Sequence, residues 1–341
     1  MRTIQLSAMT DSFPYPILSK LQLIWHINRL AALHIPFMFI IDYKAEGGYL
    51  IKHDELDANV IQFQFEAQNP EHGTRNAKHE ILQWDINPVS LKEYQSKFDY
   101  VVEQIHKGNS FLTNLTQPTE LKTNLSLLDL FQIGNAKYKL WLNGQFVVFS
   151  PETFVRIKGR TISSFPMKGT IDATIPNAEE ILLNDPKEKA EHATIVDLIR
   201  NDLSLVAEQV EVKRYRYVEK LTTNQHDLLQ VSSEISGLLP EDYLKRLGNI
   251  LIALLPAGSI SGAPKVKTLD IIQQAEDYER GFYSGICGYF DGENLDSAVM
   301  IRFIEQNGDK LIFKSGGGIT AQSDLTKEYK ELIQKVYVPI S

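Results

Sequence analysis

Strand-like and helix-like segments follow one another along this chain without the regular strand–helix–strand alternation of a parallel sheet. Near the C-terminus three strand-like segments come in direct succession, and the turn residues Asn307 and Gly308 join the last two. These segments are YSGICGYF, SAVMIRFIE and KLIFKSG. The pattern therefore predicts an α+β protein.

Three helices are predicted from the spacing of apolar residues and from residues typical of helix starts and ends. Residues 91–107 show helical spacing of apolar side chains, and Gly108 would end that helix. Residues 185–209 begin with Asp-Pro, a common helix start, and a final helix is predicted over about residues 324–336. The segments SFLTNLTQ, QFVVFS and TFVRI have strand composition.

Residues 1–85 alternate short apolar runs with turn-like clusters, which predicts a strand-rich first lobe. One such cluster, EGGY, follows Lys44, and another, NPEHGTRN, follows Gln68. No internal repeat, low-complexity tract or Pro/Gly/Ser-rich linker separates this lobe from residues 90–338. We therefore predict a single domain over residues 1–341.

Composition excludes several classes of function. With 43 acidic against 35 basic residues the formal charge is -8, so the chain lacks the basic character that nucleic acid binding requires. The longest apolar stretches, IPFMFII and NILIALLP, are too short to cross a bilayer and are predicted core segments. The single cysteine, Cys287, cannot form an internal disulfide, and the first residues lack signal-peptide features. We expect a cytoplasmic protein that binds neither nucleic acid nor a membrane.

Two pairs of glutamates occur at helical spacing. Glu188 and Glu191 lie three residues apart in the long predicted helix, and Glu328 and Glu331 do so in the last helix. Each pair faces one way, so the two helices could surround a hard cation such as Mg²⁺ with carboxylate oxygens. The alternative is structural: Glu188 could close a capping box after Asp185, and the second pair could form a solvated face.

Three further segments could contact an anion. SGGGIT, residues 315–320, places three glycines between a predicted strand and a helix, so their N–H groups could converge on a carboxylate, or the segment could be a flexible turn. GSISGAPK is not a phosphate loop, because Pro264 stands where that loop needs glycine; a tight turn with Ser261 near a ligand is predicted instead. Arg302, in a predicted apolar strand, either points inward to a carboxylate partner or faces outward.

Together these segments resemble the chorismate-utilising family, which includes the first components of anthranilate synthase and aminodeoxychorismate synthase, isochorismate synthases and salicylate synthases. The matching segments cover about residues 90–338. They are SPETFVRI, FPMKGT, DPKEKAEHATIVDLIRNDLSLVA, LLPAGSISGAPKVKTLDII, YSGICGYF, SAVMIRF, SGGGIT and EYKELIQK. The resemblance implies the family's fold, in which two packed antiparallel β-sheets are surrounded by helices and the active site lies between the sheets.

The same resemblance implies a magnesium site and a chorismate site. Glu191 and Glu328 would bind Mg²⁺ directly, and the metal would hold the ring carboxylate of chorismate. Glu188 and Glu331 would hold its waters or complete its shell. The residues expected to hold or adjoin the enolpyruvyl carboxylate are Ser261, Tyr289, Arg302, Gly316, Gly317, Gly318 and Lys335.

Lys168, in FPMKGT, would ordinarily be interpreted as a surface lysine, but the resemblance gives it a specific meaning. Many aminodeoxychorismate synthases carry lysine here, in PIKGT, whereas anthranilate and isochorismate synthases resemble PIAGT or ALAGT. The chain is therefore most similar to aminodeoxychorismate synthase component I, in which this lysine attacks C2 of chorismate. Attack requires the neutral amine, so we expect burial and the field of Mg²⁺ to lower the pKa of Lys168.

Other positions bear on the choice of reaction. The acid and base of isochorismate synthases correspond to Leu112 and to Phe165 or a neighbour, which cannot transfer protons, so water is not the expected nucleophile. Gln230 stands where anthranilate synthases carry histidine. Cys287 lies in a predicted strand and not at a nucleophile elbow, so ammonia is expected from solution or from a separate glutamine amidotransferase subunit.

The leading expectation is amination of chorismate at C4 to give 4-amino-4-deoxychorismate. The first alternative is anthranilate synthase component I. The second is a non-catalytic module of the same fold that binds a chorismate-like ligand, although packing alone would not require four glutamates and Arg302.

Overall fold

The computed structural model describes residues 13–65, 83–221 and 227–339. The turn predicted at residues 69–76 lies outside these ranges. Within them, no helix is long and apolar enough to cross a membrane.

The described strands form two antiparallel sheets. In chain order they are β1 (Leu18–Ser19), β2 (Phe37–Ile41), β3 (Gly47–Lys52), β4 (Ile61–Phe65), β5 (Trp84–Asn87), β6 (Leu112–Thr123), β7 (Tyr138–Leu142), β8 (Phe146–Ser150), β9 (Thr153–Lys158), β10 (Thr161–Ser164), β11 (Met167–Asp172), β12 (Glu208–Leu221), β13 (Leu228–Leu238), β14 (Gly262–Ala263), β15 (Ile286–Phe290), β16 (Leu295–Val299), β17 (Phe303–Asn307) and β18 (Lys310–Ile319). The first sheet has ten strands in the order β1-β3-β2-β15-β16-β9-β10-β13-β11, with β12 beside β13. The second sheet has eight strands in the order β14-β6-β18-β17-β8-β7-β4, with β5 beside β6.

Helices surround the two sheets. Those among the described residues are α1 (Lys20–Ala32), α2 (Leu91–His106), α3 (Leu127–Ile133), α4 (Ala178–Asn184), α5 (Pro186–Ser204), α6 (Leu247–Ala253), α7 (Lys265–Ala275) and α8 (Leu325–Gln334). The predicted helices α2, α5 and α8 are confirmed. Asp185 caps α5 by accepting from the Glu188 N–H at 2.9 Å, and Asp324 caps α8 in the same way.

Helix α1 is an addition to the strand-rich first lobe that the sequence predicted. Its buried residues Leu23, Ile27, Leu30 and Ala31 recur at helical spacing and cover one face of the first sheet. The strand-rich prediction for residues 1–85 did not include this helix, whose apolar spacing was counted among the short apolar runs.

The core is layered because the central strands bury both faces. In β2, Phe37, Phe39 and Ile41 pack with α1 and α6, whereas Met38 and Ile40 pack against the second sheet. The predicted core segment IPFMFII is thereby confirmed. The predicted fold class, α+β with two packed antiparallel sheets surrounded by helices, is confirmed as well.

The chain passes from the first sheet to the second at residues 300–302. The segment SAVMIRFIE was predicted as one strand, but β16 belongs to the first sheet and β17 to the second. The Met300 N–H donates to the Gly285 carbonyl at 2.8 Å, and the Phe149 N–H donates to the Arg302 carbonyl at 3.1 Å. Arg302 has φ 52°, in the left-handed region, which turns the chain between the sheets.

Candidate active site

A cavity of about 170 Å³, here the central cavity, lies beside this crossing. It is lined by six of the predicted site residues: Lys168, Arg302, Gly316, Gly317, Gly318 and Lys335. Lys314 is a further basic residue of the lining. Four basic residues around a small cavity suit an anionic ligand.

Lys168 lies on a β-bulge of β11. On β13, Ser232 and Gln230 pair with the residues that flank Lys168 and Gly169, so two residues of β11 oppose one residue of β13. Gly169 has φ 88°, and a Cβ at this position would lie only 3.1 Å from Glu188 Oε2. A bulge redirects the side chains that it carries. This bulge therefore needs glycine at 169, and it brings Lys168 to the glutamates of α5.

The Lys168 ammonium lies 2.7 Å from Glu191 Oε2. Burial alone would lower the pKa of Lys168. The ion pair with Glu191 and the charges of Glu188 and Glu331 outweigh burial, so this pKa lies above its ordinary value. Burial thus acts in the direction that the sequence predicted, but the three carboxylates around the amine outweigh it, and the effect of Mg²⁺ on this pKa stays a prediction.

Both predicted glutamate pairs lie beside lining residues of the central cavity, near Lys168 and Gly317. Glu191 is 9% exposed and Glu328 is 6% exposed, so neither belongs to a solvated face. A Cβ placed on Gly317 would lie 3.5 Å from Glu328 Oε2 and 3.9 Å from Glu331 Oε1. The charges of Glu188, Glu191 and Glu331 all act on Lys168. Helices α5 and α8 thus bring their carboxylates together around the bulge.

The four glutamates have the oxygen chemistry that Mg²⁺ prefers. In the described ranges, no three His, Cys, Asp or Glu side chains are already grouped closely enough to hold a metal ion. The ammonium groups of Lys168 and Lys335 instead pair with Glu191 and Glu331, each at 2.7 Å. Gly169 and Gly317 have no Cβ, which leaves space beside the carboxylates. The donor set fits a hard cation whose binding would draw the two pairs together.

The three consecutive glycines lie in strand β18. The predicted flexible turn is therefore wrong, because Gly316–Gly318 pair with residues 114–116 of β6, while the contact of their N–H groups with a carboxylate stays a prediction. Lys335 Nζ donates to the Gly316 carbonyl at 2.8 Å, so this carbonyl points away from β6. In an antiparallel pair the N–H and C=O of one residue point the same way, and every second residue repeats that direction. The N–H groups of Gly316 and Gly318 therefore also face away from β6.

The edge of β18 that these N–H groups occupy borders the central cavity. Strand β17 pairs with β18 only from Lys310 to Lys314, because the chain before β17 leaves for the first sheet. A Cβ on Gly316 would lie 2.4 Å from Thr116 Cγ2, so this position has no room for a side chain. The cavity is thus bordered by a bare strand edge that offers backbone donors.

Arg302 and Lys335 form a cationic wall of the cavity. Arg302 Nη1 donates to the Lys335 carbonyl at 3.1 Å, and its guanidinium lies 4.7 Å from the centroid of the Tyr337 ring. Burial lowers the pKa of Lys335, although the Glu331 carboxylate acts in the opposite direction. Of the two alternatives for Arg302, the structure supports the inward one.

Ser261 and Tyr289 are outside this group of residues. Ser261 is fully buried, and its Oγ donates to a carbonyl of its own turn at 2.9 Å. The Tyr289 hydroxyl lies 2.8 Å from His53 Nδ1, and its ring packs in the core between the sheets. Ser259 and Tyr283 line the central cavity in their place.

The sequence profile of a family described as chorismate binding enzyme matches residues 23–341. The chain belongs to this family. It is 51% identical over 313 residues to an uncharacterized PabA-like protein of Pasteurella multocida, a match that covers 92% of this chain and 97% of that protein. Aminodeoxychorismate synthase component 1 of Escherichia coli is 30% identical over 314 residues, which are 87% of this chain and 66% of that protein.

A solved structure confirms the fold of this chorismate binding enzyme. Anthranilate synthase component I from Streptococcus pneumoniae TIGR4 matches with a TM-score of 0.70 and 20% sequence identity. The match covers 98% of this chain and 94% of that chain. The family that the ordered sequence segments indicated is therefore confirmed, together with its two-sheet architecture.

Glu152 is a residue of the central cavity that the sequence patterns did not indicate. It lies in SPETFVRI, immediately before β9. Burial raises the pKa of Glu152, whereas the Ser259 hydroxyl, which donates to Oε1, and the Lys335 charge act to lower it. The cavity thus contains a carboxyl group suited to proton donation. The expectation that Leu112 and Phe165 cannot transfer protons did not consider this carboxyl group, and the expectation that water is not the nucleophile stays a prediction.

Proposed function

We propose that this chain is an aminodeoxychorismate synthase component I. It would replace the C4 hydroxyl of chorismate with an amino group from ammonia and form 4-amino-4-deoxychorismate, a precursor of 4-aminobenzoate and folate. Family membership supports chorismate as the substrate. The similarity to aminodeoxychorismate synthase component 1 of Escherichia coli supports this reaction among those of the family.

The observation that carries the proposal is the position of Lys168. A two-residue bulge directs a primary amine into a cavity that also contains Arg302 and Lys335. In the corresponding motif, anthranilate and isochorismate synthases carry alanine at this position, so they lack the amine. A lysine in contact with the substrate can attack it as a nucleophile. Enzymes of the family that use water or ammonia as the only nucleophile do not require such a lysine.

The cavity offers separate groups for the two carboxylates of chorismate. Arg302, together with the N–H groups of Gly316 and Gly318, suits the enolpyruvyl carboxylate. Glu191 and Glu328 are the proposed direct ligands of Mg²⁺. When bound, Mg²⁺ would supply positive charge for the ring carboxylate.

The proposed chemistry requires Lys168 as the neutral amine, released from the ion pair that it forms with Glu191 Oε2 at 2.7 Å, and its proton passes to solvent. The neutral amine attacks C2, the ring double bonds shift, and the C4–O bond breaks. Glu152 donates a proton to the departing hydroxyl, which leaves as water. Ammonia then adds at C4, the double bonds shift back, and the C2–N bond to Lys168 breaks. The new C4 ammonium returns a proton to Glu152, so the sum is chorismate plus ammonia giving product plus water.

A separate glutamine amidotransferase subunit is the proposed source of ammonia. Cys287 is the single cysteine of the chain and is 1% exposed. Burial raises the pKa of its thiol, so it does not form the thiolate that glutamine hydrolysis needs. Ammonium salts at alkaline pH should therefore support turnover by the purified chain, whereas glutamine should do so only with an added glutaminase subunit.

The decisive experiment incubates the purified chain with chorismate, Mg²⁺ and ammonium and identifies products by mass. We expect 4-amino-4-deoxychorismate from the wild type and from Lys158→Ala, a control at an exposed lysine that ends β9. Lys168→Ala should bind chorismate but not aminate it. Wild type given chorismate alone should carry a covalent mass increase on Lys168. Anthranilate, isochorismate or no turnover from the wild type would contradict the proposal.

A further inference from the structure

A second cavity of about 660 Å³, here the outer cavity, lies beside α7. It is bounded by α7, by the turn between β2 and β3 and by the loop that follows α7, and its lining includes Tyr43, Pro256, Leu269, Ile272, Glu276 and Arg280. The last two of these residues also contact the wall of the central cavity from behind. They form a partition between the two cavities.

Arg280 uses its guanidinium group on both sides of this partition and is 2% exposed. On one side its Nε and Nη2 donate to the two carboxylate oxygens of Glu276, at 2.8 and 2.6 Å. On the other side Nη1 donates to the Ile260 carbonyl at 2.9 Å, and Nη2 donates to the Asn114 carbonyl at 2.8 Å. The Tyr43 ring lies against the guanidinium, with its centroid 4.5 Å away.

The two carbonyls belong to different walls of the central cavity. Asn114 lies in β6 and pairs with Gly318, whereas Ile260 lies in the turn before β14. Both residues line the cavity. One planar, fixed group that donates to both therefore sets the distance between these walls.

Glu276 extends the same network to the glycine strand. It accepts from the Thr116 N–H at 2.9 Å and from the Thr116 hydroxyl at 2.7 Å. Thr116 pairs with Gly316, whose N–H faces the cavity. Lys314, a further residue of the lining, donates through Nζ to the Arg280 carbonyl at 3.0 Å. The ion pair thus supports three parts of the cavity wall at once.

We propose that Arg280, oriented by Glu276, is a positioning residue for chorismate. It touches no substrate atom, but it holds the backbone of β6 and of the turn at Ile260 in the separation that chorismate binding needs. A buried ion pair is weak evidence of stabilisation, since well-packed apolar residues often replace such pairs without loss. Apolar residues could not donate to the Ile260 and Asn114 carbonyls as Arg280 does, so they could not replace this pair here. The proposal rests on the central cavity being the chorismate site of the proposed function.

The first test compares Arg280→Lys with Arg156→Lys. Arg156 is the control, because its Nε donates to Asp296 at 3.0 Å in another ion pair between an arginine and a carboxylate, outside the lining of the central cavity. Lysine keeps the charge but cannot donate to Glu276 and to two carbonyls in one plane. Chorismate affinity is measured by calorimetry without ammonia, and thermal unfolding is measured in parallel.

We expect Arg280→Lys to bind chorismate at least ~10-fold more weakly, since small displacements of binding groups have large effects. Arg156→Lys should lower the unfolding temperature and leave the affinity unchanged. Equal chorismate affinities for Arg280→Lys and the wild type would overturn the proposal, even if both variants unfold earlier. A wild type that does not bind chorismate would overturn it too. A wild type that binds chorismate but forms anthranilate would overturn the proposed function alone.

The second test adds a small guanidinium compound, which can reach the position of the Arg280 side chain through the outer cavity. In Arg280→Ala the lost guanidinium leaves space that adjoins this cavity, so added methylguanidinium should bind there and restore chorismate affinity. Methylammonium at the same concentration should not, because it lacks the planar set of donors. Wild-type affinity in Arg280→Ala without any additive would contradict the proposal. Should this variant fail to fold, Arg280→Lys decides the question.

Discussion

Alanine at Gly317 would probe the space beside the glutamates without disturbing the strand. A Cβ on Gly317 would lie 3.5 Å from Glu328 Oε2, 3.7 Å from Lys335 Nζ and 3.9 Å from Glu331 Oε1, which are ordinary contact distances. Gly317 is an extended strand residue. Gly→Ala at a compatible backbone position changes the free energy of unfolding by about 0.4–1 kcal/mol in favour of the folded state. We therefore expect Gly317→Ala to be as stable as the wild type or slightly more stable.

Alanine at the neighbouring Gly316 should have the opposite effect on stability. Its Cβ would lie 2.4 Å from Thr116 Cγ2 and 2.6 Å from the Leu115 carbonyl, so atoms must move. Thr116 cannot rotate away cheaply, because its hydroxyl donates to Glu276 at 2.7 Å. Overpacking of this kind typically costs about 1–3 kcal/mol. We expect Gly316→Ala to lose that amount of unfolding free energy.

Urea unfolding and calorimetry distinguish the two variants. Unfolding curves give the free energy of unfolding, and calorimetry with Mg²⁺ and chorismate gives the binding affinity. Gly317→Ala should keep its stability but bind at least ~10-fold more weakly, because the methyl group occupies space that the proposed magnesium shell needs. Equal binding by Gly317→Ala and the wild type would refute the placement of the metal, and equal stability losses in the two variants would refute the packing argument.

Three further outcomes are expected. Glu191→Gln and Glu328→Gln should each remove most turnover while the chain remains folded, because an amide is a poor Mg²⁺ ligand; product formation across a Mg²⁺ titration checks this, and normal turnover at limiting Mg²⁺ would speak against it. Arg302→Lys should raise KM for chorismate more than it lowers kcat, since the bidentate fork is lost and the charge stays; an unchanged KM would exclude a carboxylate contact. Cys287 should react with a thiol reagent only after denaturation, because burial raises its pKa; rapid labelling of the folded chain would disprove this.

Features set by near neighbours in the sequence were predictable. The carboxylate pairs of α5 and α8 depend on helical spacing and on the caps Asp185 and Asp324, all within a few residues of one another. The turn between β17 and β18 was predictable for the same reason. Helix α1 had an equally local signal, yet the turn-like clusters around it favoured strands.

Features set by distant partners were not predictable. The bulge at Lys168 exists because β13 supplies one residue where β11 supplies two, which no local pattern shows. The glycines 316–318 form a strand because β6 pairs with them, although such a segment alone favours a turn. The pKa of Lys168 follows from carboxylates on two helices that are far apart in sequence. Glu152 was missed because the groups that contact it or act on its charge, Ser259 and Lys335, are each more than one hundred residues away in sequence.

The crossing at residues 300–302 also acts as a mechanical tether. Three residues span at most about 10 Å when fully extended. This short stretch is hydrogen-bonded to the first sheet through Met300 and Gly285 and to the second sheet through Arg302 and Phe149. The two sheets therefore cannot separate at this end to admit a ligand to the central cavity.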